Sequence, residues 1–167
     1  MDIPTSVNET VSTIHKIVFD ILCDIDDFCK ENNIRYYLAG GTCLGAVRDH
    51  GFIPWDDDAD LILPREDYER FFRLFPQKYK DKYGAAILSI DPNWKREHGK
   101  VWDKRTVVKV NNTDQDAIGV FVDLFAIDGL PNSKIKRKVF FKKMKVYSAL
   151  KYACIKNTFW KRSTISF

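Results

Sequence analysis

Apolar residues recur at Val11, Ile14, Val18, Ile21, Leu22, Ile25 and Cys29, the three-and-four spacing that lays one stripe along a helix. Asn32 and Asn33 are expected to end it. A short strand is predicted from Ile34 to Ala39, running into Gly40-Gly41-Thr42, and Cys43 to Arg48 can then form a brief helix. The loop Gly51-Phe52-Ile53-Pro54-Trp55 delivers the chain into Asp56-Asp57-Asp58-Ala59-Asp60, whose apolar continuation Leu61-Ile62-Leu63 predicts a second strand closed by Pro64. Tyr68, Phe71, Phe72 and Phe75 follow at i, i+3, i+4 and i+7. They predict a short helix with Glu66 and Asp67 in its first turn and Pro76 as its stop.

Three further strands are expected at Ala85 to Ile90, Lys100 to Asp103 and Thr106 to Val110, with a polar, turn-like stretch from Asn111 to Asp116. Gly119 to Ile127 is the most apolar run in the chain. Val120, Phe121, Val122, Leu124, Phe125 and Ala126 point to both faces, so this strand is expected to be central and covered on each side. Asp128-Gly129-Leu130-Pro131 then turns the chain into a long helix with an apolar stripe through Phe140, Met144, Tyr147, Leu150 and Cys154.

Charge divides the chain more sharply than its net value of +4 suggests. From Pro131 onward there are eleven Lys/Arg and no Asp/Glu, which leaves sixteen basic against 23 acidic residues before it. The division predicts a core over residues 1–130 and a basic helical segment over 131–167, the start of a longer C-terminal part. A basic segment suits an anionic surface: a membrane, a nucleic acid or a phosphorylated glycan. At 167 residues, 45% hydrophobic, the chain has room for one sizeable core. Cys23, Cys29, Cys43 and Cys154 form no C-x-x-C pair and no zinc-clip spacing, so reduced thiols are expected. Neither a spanning apolar run nor a signal peptide is present, so a cytoplasmic protein is expected, with the basic helix allowing peripheral contact at the inner membrane face.

The sharpest chemical feature is Asp58-Ala59-Asp60 at the head of a strand. Side chains alternate along a strand, so these two carboxylates project from one face with backbones about 6–7 Å apart. That is a reach from which they can share a hard divalent cation, Mg²⁺ or Mn²⁺. Asp56, Asp58 and Asp60 also fit the first, third and fifth positions of a calcium loop, with Asp67 at the twelfth. Leu61 stands where such a loop needs glycine, which excludes it. Asp123 lies inside an apolar strand, where an unpaired charge would cost several kcal/mol; a cation already held by Asp58 and Asp60 would supply its partner. Gly40-Gly41-Thr42, between a strand and a helix, lets backbone N–H groups approach an anion, although no P-loop lysine follows.

Strand, Gly-Gly turn, helix, two-carboxylate strand and one-carboxylate strand together resemble the core of the nucleotidyltransferase superfamily. The longer blocks are more specific. Tyr37 to Arg48, Gly51 to Asp60, Pro64 to Tyr68, Val101 to Thr106 and Val122 to Pro131 resemble the LicD family, which includes bacterial phosphocholine transferases and relatives of fukutin. The resemblance spans about Ile14 to Tyr147. It implies an α/β (α+β) fold with a mixed central sheet flanked by helices and followed by the basic helix.

It also implies Mg²⁺-dependent transfer of phosphocholine, or a similar phospho-substituent, from a CDP-linked donor such as CDP-choline to a hydroxyl of a cell-surface glycan. The acceptor could be lipid-linked, as in lipopolysaccharide or teichoic acid modification, and CMP leaves. In that reading Asp58, Asp60 and Asp123 hold the metal, and Asp123 alternatively acts as base. Gly40, Gly41 and Thr42 bind phosphate oxygens, and Arg48, Lys100 and Arg105 are the candidate phosphate cations. Trp55, with Trp94, Trp102, Tyr36 and Tyr37, offers rings for a quaternary ammonium. His15 is expected to be structural, and His50 and His98 to be loop residues. The alternatives are a nucleotidyltransferase that releases pyrophosphate and a non-catalytic nucleotide- or metal-binding module, with nucleic-acid binding the weakest.

Overall fold

The computed structural model describes residues 5–94, 96–108 and 118–163. The chain divides into two compact units, Met1–Asp128 and Gly129–Phe167. In chain order the elements are α1 (Thr5–Glu31), β1 (Tyr37–Leu38), α2 (Gly40–Arg48), β2 (Asp60–Pro64), α3 (Arg65–Lys78), β3 (Tyr83–Ala86), β4 (Gly99–Asp103), β5 (Phe121–Ile127) and α4 (Lys134–Ser163). The first eight build one unit around a five-stranded sheet of order β1-β2-β5-β4-β3. In that sheet β2 and β5 run parallel, and the other neighbouring pairs are antiparallel. The sheet is thus mixed, and the apolar strand β5 lies at its centre.

Helix α1 buries Val18, Ile21, Ile25 and Cys29 of the predicted stripe, together with Phe28, while Val11, Ile14 and Leu22 are partly buried. It ends where Asn33 takes φ 51°, a left-handed conformation asparagine tolerates, and the Ile34 N–H donates back to the Cys29 carbonyl at 2.9 Å. Helix α3 buries Tyr68, Phe71, Phe72 and Phe75. Phe28 of α1 meets Phe71 and Phe75 edge-on at 5.6 and 5.2 Å between centroids, an arrangement that adds about 0.5–1.5 kcal/mol per pair beyond area burial. Both helices share one core with Leu61, Leu63, Val101, Val122 and Leu124 of the sheet.

Several expectations need correction. Pro76 does not stop α3, which runs to Lys78. The missing N–H is tolerated because Phe75 stacks on Tyr79 at 4.8 Å and the Tyr79 N–H closes the last turn on the Phe75 carbonyl. The first strand shrinks from Ile34–Ala39 to Tyr37–Leu38, the two residues that pair in register with β2. The strand expected over Ala85 to Ile90 is displaced to Tyr83–Ala86, because Ile87 begins a turn whose carbonyl accepts from the N–H groups of Ile90 and Asp91. The strand expected over Thr106 to Val110 is reduced among the described residues to a bridge between Val108 and Ile118; its end and the Asn111–Asp116 turn lie outside them.

Within its unit, helices α1 and α3 pack on one face of the central strand. Val122 and Leu124 are sealed by the helices, whereas Phe125 and Ile127 stay 36% and 45% exposed. The apolar run misled because alternation still operates inside it, and the second face is where Asp123 and the site lie.

Helix α4 exposes Ile135, Val139, Phe141, Met144, Val146, Tyr147, Leu150 and Tyr152. The side chain of Cys154, the last residue of the predicted stripe, lies outside the described part. No helix among the described residues is long and apolar enough to cross a membrane.

Candidate active site

Registers assemble the site. Asp60 of β2 pairs with Asp123 of β5, and Asp123 pairs with Lys100 of β4, so the three side chains form one row across adjacent strands. Directly paired residues project from the same face, and that face is the one opposite α1 and α3. Asp58 lies two residues before Asp60, on the same side, and the Asp123 N–H donates to the Ala59 carbonyl at 2.8 Å, which locks β5 to the lead-in of β2. One carboxylate oxygen from each of Asp58, Asp60 and Asp123 falls within 4.8 Å of the others. Asp56, Asp57 and Asp58 form a second such group.

The glycine pair makes room for these carboxylates. Gly40 has φ +52°, and a Cβ there would stand 2.9 Å from Asp60 Oδ2; at Gly41 it would stand 2.5 Å from Asp56 Oδ2. The predicted turn is in fact the first turn of α2, which begins at Gly40 without a side-chain cap at Ala39. First-turn N–H groups have no partner inside the helix. They and the positive end of the helix dipole favour the acidic cluster or an anion bound beside it. Thr42 faces the protein: its Oγ1 accepts the Asp60 N–H at 2.8 Å and so fastens α2 to the first residue of β2. The Ala39 N–H reaches the Asp60 carbonyl at 2.9 Å from the other side.

Electrostatics follow from this crowding. Burial, then Asp60, Asp56, Asp57 and Asp123, push the Asp58 carboxyl up to about 6. Asp60 is raised as well, by burial and then by Asp123 and Asp56, against the opposing pull of His98 and Lys100. Asp123 is 8% exposed, and its Oδ1 accepts a hydrogen bond from Lys100 Nζ, which belongs to a residue 3% exposed. The ammonium lies 3.4 Å from the centre of the Phe121 ring. Burial holds Lys100 below the ordinary lysine value despite its contact with Asp123.

The other predicted residues lie apart from this row. Arg48 at the far end of α2 is half exposed and paired with Asp49 at 2.7 Å. Arg105 pairs with Asp103 at 2.6 Å, and Asp103 alternates with Lys100 onto the helix side of the sheet, opposite Tyr83 in register. Trp55 is 66% exposed in the loop before the aspartates. Trp94 and Trp102 stack on each other at 5.7 Å, Tyr36 donates to Asp26, and Tyr37 is exposed. His15 supports the aspartate loop: its Nε2 lies 2.6 Å from the Asp56 carbonyl and its ring stacks on Phe52 at 4.5 Å.

Sequence reasoning missed His98. Its Nε2 stands 3.2 Å from Asp123 Oδ1, out of hydrogen-bonding alignment, and its ring lies against Phe125 at 4.7 Å. It also lines, with Arg65, Tyr68, Glu97, Phe125 and Ala126, a cavity of about 270 Å³ beside the carboxylates. The available signal was its offset of two from Lys100, which puts both on one face once β4 is recognised.

The chain is similar to known proteins over much of its length. Residues 33–161 match the family model described as LicD/FKTN/FKRP, nucleotidyltransferase domain. The lipopolysaccharide cholinephosphotransferase LicD of Haemophilus influenzae is 32% identical over 136 residues, 81% of this chain and 49% of that protein. The human ribitol 5-phosphate transferase FKRP is 38% identical over 71 residues, 42% of this chain and 12% of that protein. The uncharacterized protein RT0683 of Rickettsia typhi is 40% identical over 60 residues, 36% of this chain and 19% of that protein. The chain thus spans about half, or less, of the length of these relatives. With the family model covering most of its length and the carboxylate row inside the matched region, the chain belongs to the LicD/FKTN/FKRP nucleotidyltransferase-domain family.

Proposed function

We propose that the carboxylate row is the divalent-cation site of a phosphotransferase. In this reading the enzyme moves phosphocholine, or a similar phospho-substituent, from a CDP-linked donor to a glycan hydroxyl and releases CMP. The single observation that carries the reading is the convergence of Asp58, Asp60 and Asp123 within 4.8 Å on one sheet face, beside the uncapped start of α2. The relatives' names, cholinephosphotransferase and ribitol 5-phosphate transferase, support phospho-group transfer.

The donor set fits Mg²⁺ or Mn²⁺: three carboxylates, no thiolate, and a setting in which burial and then the neighbouring carboxylates push Asp58 up to about 6. Asp58 and Asp60 would hold such an ion and Asp123 would complete the set. When bound, the ion supplies charge neutralisation on the donor diphosphate. The first-turn N–H groups of α2 at Gly40 and Gly41 bind non-bridging phosphate oxygens, and Thr42 holds that turn against β2. The acceptor oxygen forms its bond to the phosphorus that carries the substituent while the bond from that phosphorus to the CMP oxygen breaks. Where Asp123 is left out of the metal set, it is instead the base that accepts the hydroxyl proton. Phosphoryl transfer needs mainly alignment and charge compensation, which this equipment can provide. The exposed lysines and aromatic side chains of α4 support peripheral contact with an anionic surface that bears the acceptor.

Asp58→Asn and Asp60→Asn test the reading. Each is expected to lower CMP release from CDP-choline by at least about a hundredfold while the circular dichroism spectrum and melting cooperativity stay unchanged. Full CMP release in both variants would overturn it, and pyrophosphate in place of CMP would point to nucleotidyl transfer.

A further inference from the structure

We infer that Lys100 is a built-in competitor for the divalent cation, an internal counter-ion that occupies Asp123 until the metal takes that carboxylate over. The inference rests on the metal reading of the carboxylate row and adds a step to it. Lys100 and Asp123 are direct register partners on β4 and β5. Their side chains are 4% and 11% exposed, and Lys100 Nζ donates to Asp123 Oδ1 from above the Phe121 ring. Asp60 is the register partner of Asp123 on its other side. Asp123 therefore stands between a fixed cation and the two carboxylates that would hold a mobile one.

A buried carboxylate needs a positive partner. In the metal-free protein Lys100 supplies one, and the Phe121 face stabilises the ammonium there. An ion shared by Asp58, Asp60 and Asp123 would lie within a few ångströms of that ammonium, where repulsion between like charges in a half-buried site is large. Metal binding must therefore loosen the Lys100–Asp123 contact, and the cost appears as weakened metal affinity. Loosening also frees a cation next to the place where phosphate oxygens would arrive. His98 does not substitute for it, because its Nε2 is out of line with Asp123 and its ring is held against Phe125.

The test is Mn²⁺ binding to the full chain by calorimetry and by electron paramagnetic resonance of free Mn²⁺, without any nucleotide. Lys100→Met keeps an apolar stem over Phe121 and removes the charge. It is expected to bind Mn²⁺ about tenfold more tightly than the wild type, while Lys100→Arg stays near wild type. The metal-free melting temperature of Lys100→Met should fall, and saturating Mn²⁺ should raise it by more than it raises that of the wild type. Equal or weaker Mn²⁺ binding by folded Lys100→Met overturns the inference and leaves the metal reading standing. Absence of Mn²⁺ binding to wild type and variant alike overturns both. Should Lys100→Met not fold, the wild type decides: the ¹⁵Nζ resonance of Lys100 is expected to shift with the same midpoint as Mg²⁺ binding, and an unmoved resonance at saturation overturns the inference.

Discussion

Asp58 is the residue through which pH should reach this site. Its carboxyl is pushed up to about 6, first by burial and then by the surrounding aspartates, whereas an unfolded chain leaves it near the ordinary value. The folded protein therefore holds this proton more tightly than the unfolded one. Stability of the metal-free form should fall as pH rises from about 4 to 6 and level off above that, because the unfolded state ionises first. Metal affinity should move the other way, rising about tenfold per unit up to pH 6 and flattening beyond it, since a carboxylate must lose its proton to coordinate. Denaturant titrations and Mn²⁺ calorimetry at pH 5, 6 and 7 check both slopes, and Asp58→Asn should flatten both.

At the same scale, the aspartates were legible because period-two alternation is a property of the strand itself. The role of Gly40 and Gly41 was not. Their closeness to Asp60 and Asp56 depends on how α2 lies across β2, which no spacing encodes.

Among the elements, α3 carries the most concentrated aromatic packing, and its i, i+3, i+4, i+7 pattern was plain in the sequence. Phe71 is fully buried between Phe28 and Phe75. Phe71→Ala is expected to cost about 3–5 kcal/mol in a denaturant titration with little change in slope. Loss of that cover should not move the carboxylate registers, which are set by the β2–β5 and β4–β5 ladders. Strand ends were the least legible features. β1 and β3 differ from expectation because strand limits depend on which neighbour offers a partner, as with the Ile87 turn that ends β3. Pro76 misled for a related reason: a lost N–H in the last turn is cheap when aromatic stacking holds that turn in place.

For the whole molecule, charge separation is the dominant feature. From Pro131 onward the chain carries eleven Lys/Arg and no acidic residue, and α4 presents exposed Tyr147 and Tyr152 among them. Each lysine near an anionic leaflet contributes about 1 kcal/mol, screened over a Debye length of about 8 Å at physiological salt. Sedimentation with vesicles containing about one-third phosphatidylglycerol is expected to retain the protein at low salt and release it by about 0.5 M, where screening is severe. Neutral vesicles should not retain it. Equal retention on both would remove the electrostatic reading of α4.

The sequence by itself determined the mixed character of the domain, the α1 and α3 core stripes, the central place of β5 and three of the carboxylates at issue, because each rests on local periodicity or on a long ordered motif. Only the tertiary structure decided that Lys100 rather than Arg48 or Arg105 stands with Asp123, that His98 joins them, and that α1 and α3 pack on the same face of β5. Those outcomes depend on strand register and on which side of the sheet the helices pack. Both are relations between segments far apart in the chain, set by packing and hydrogen-bond pairing and by no single stretch of residues.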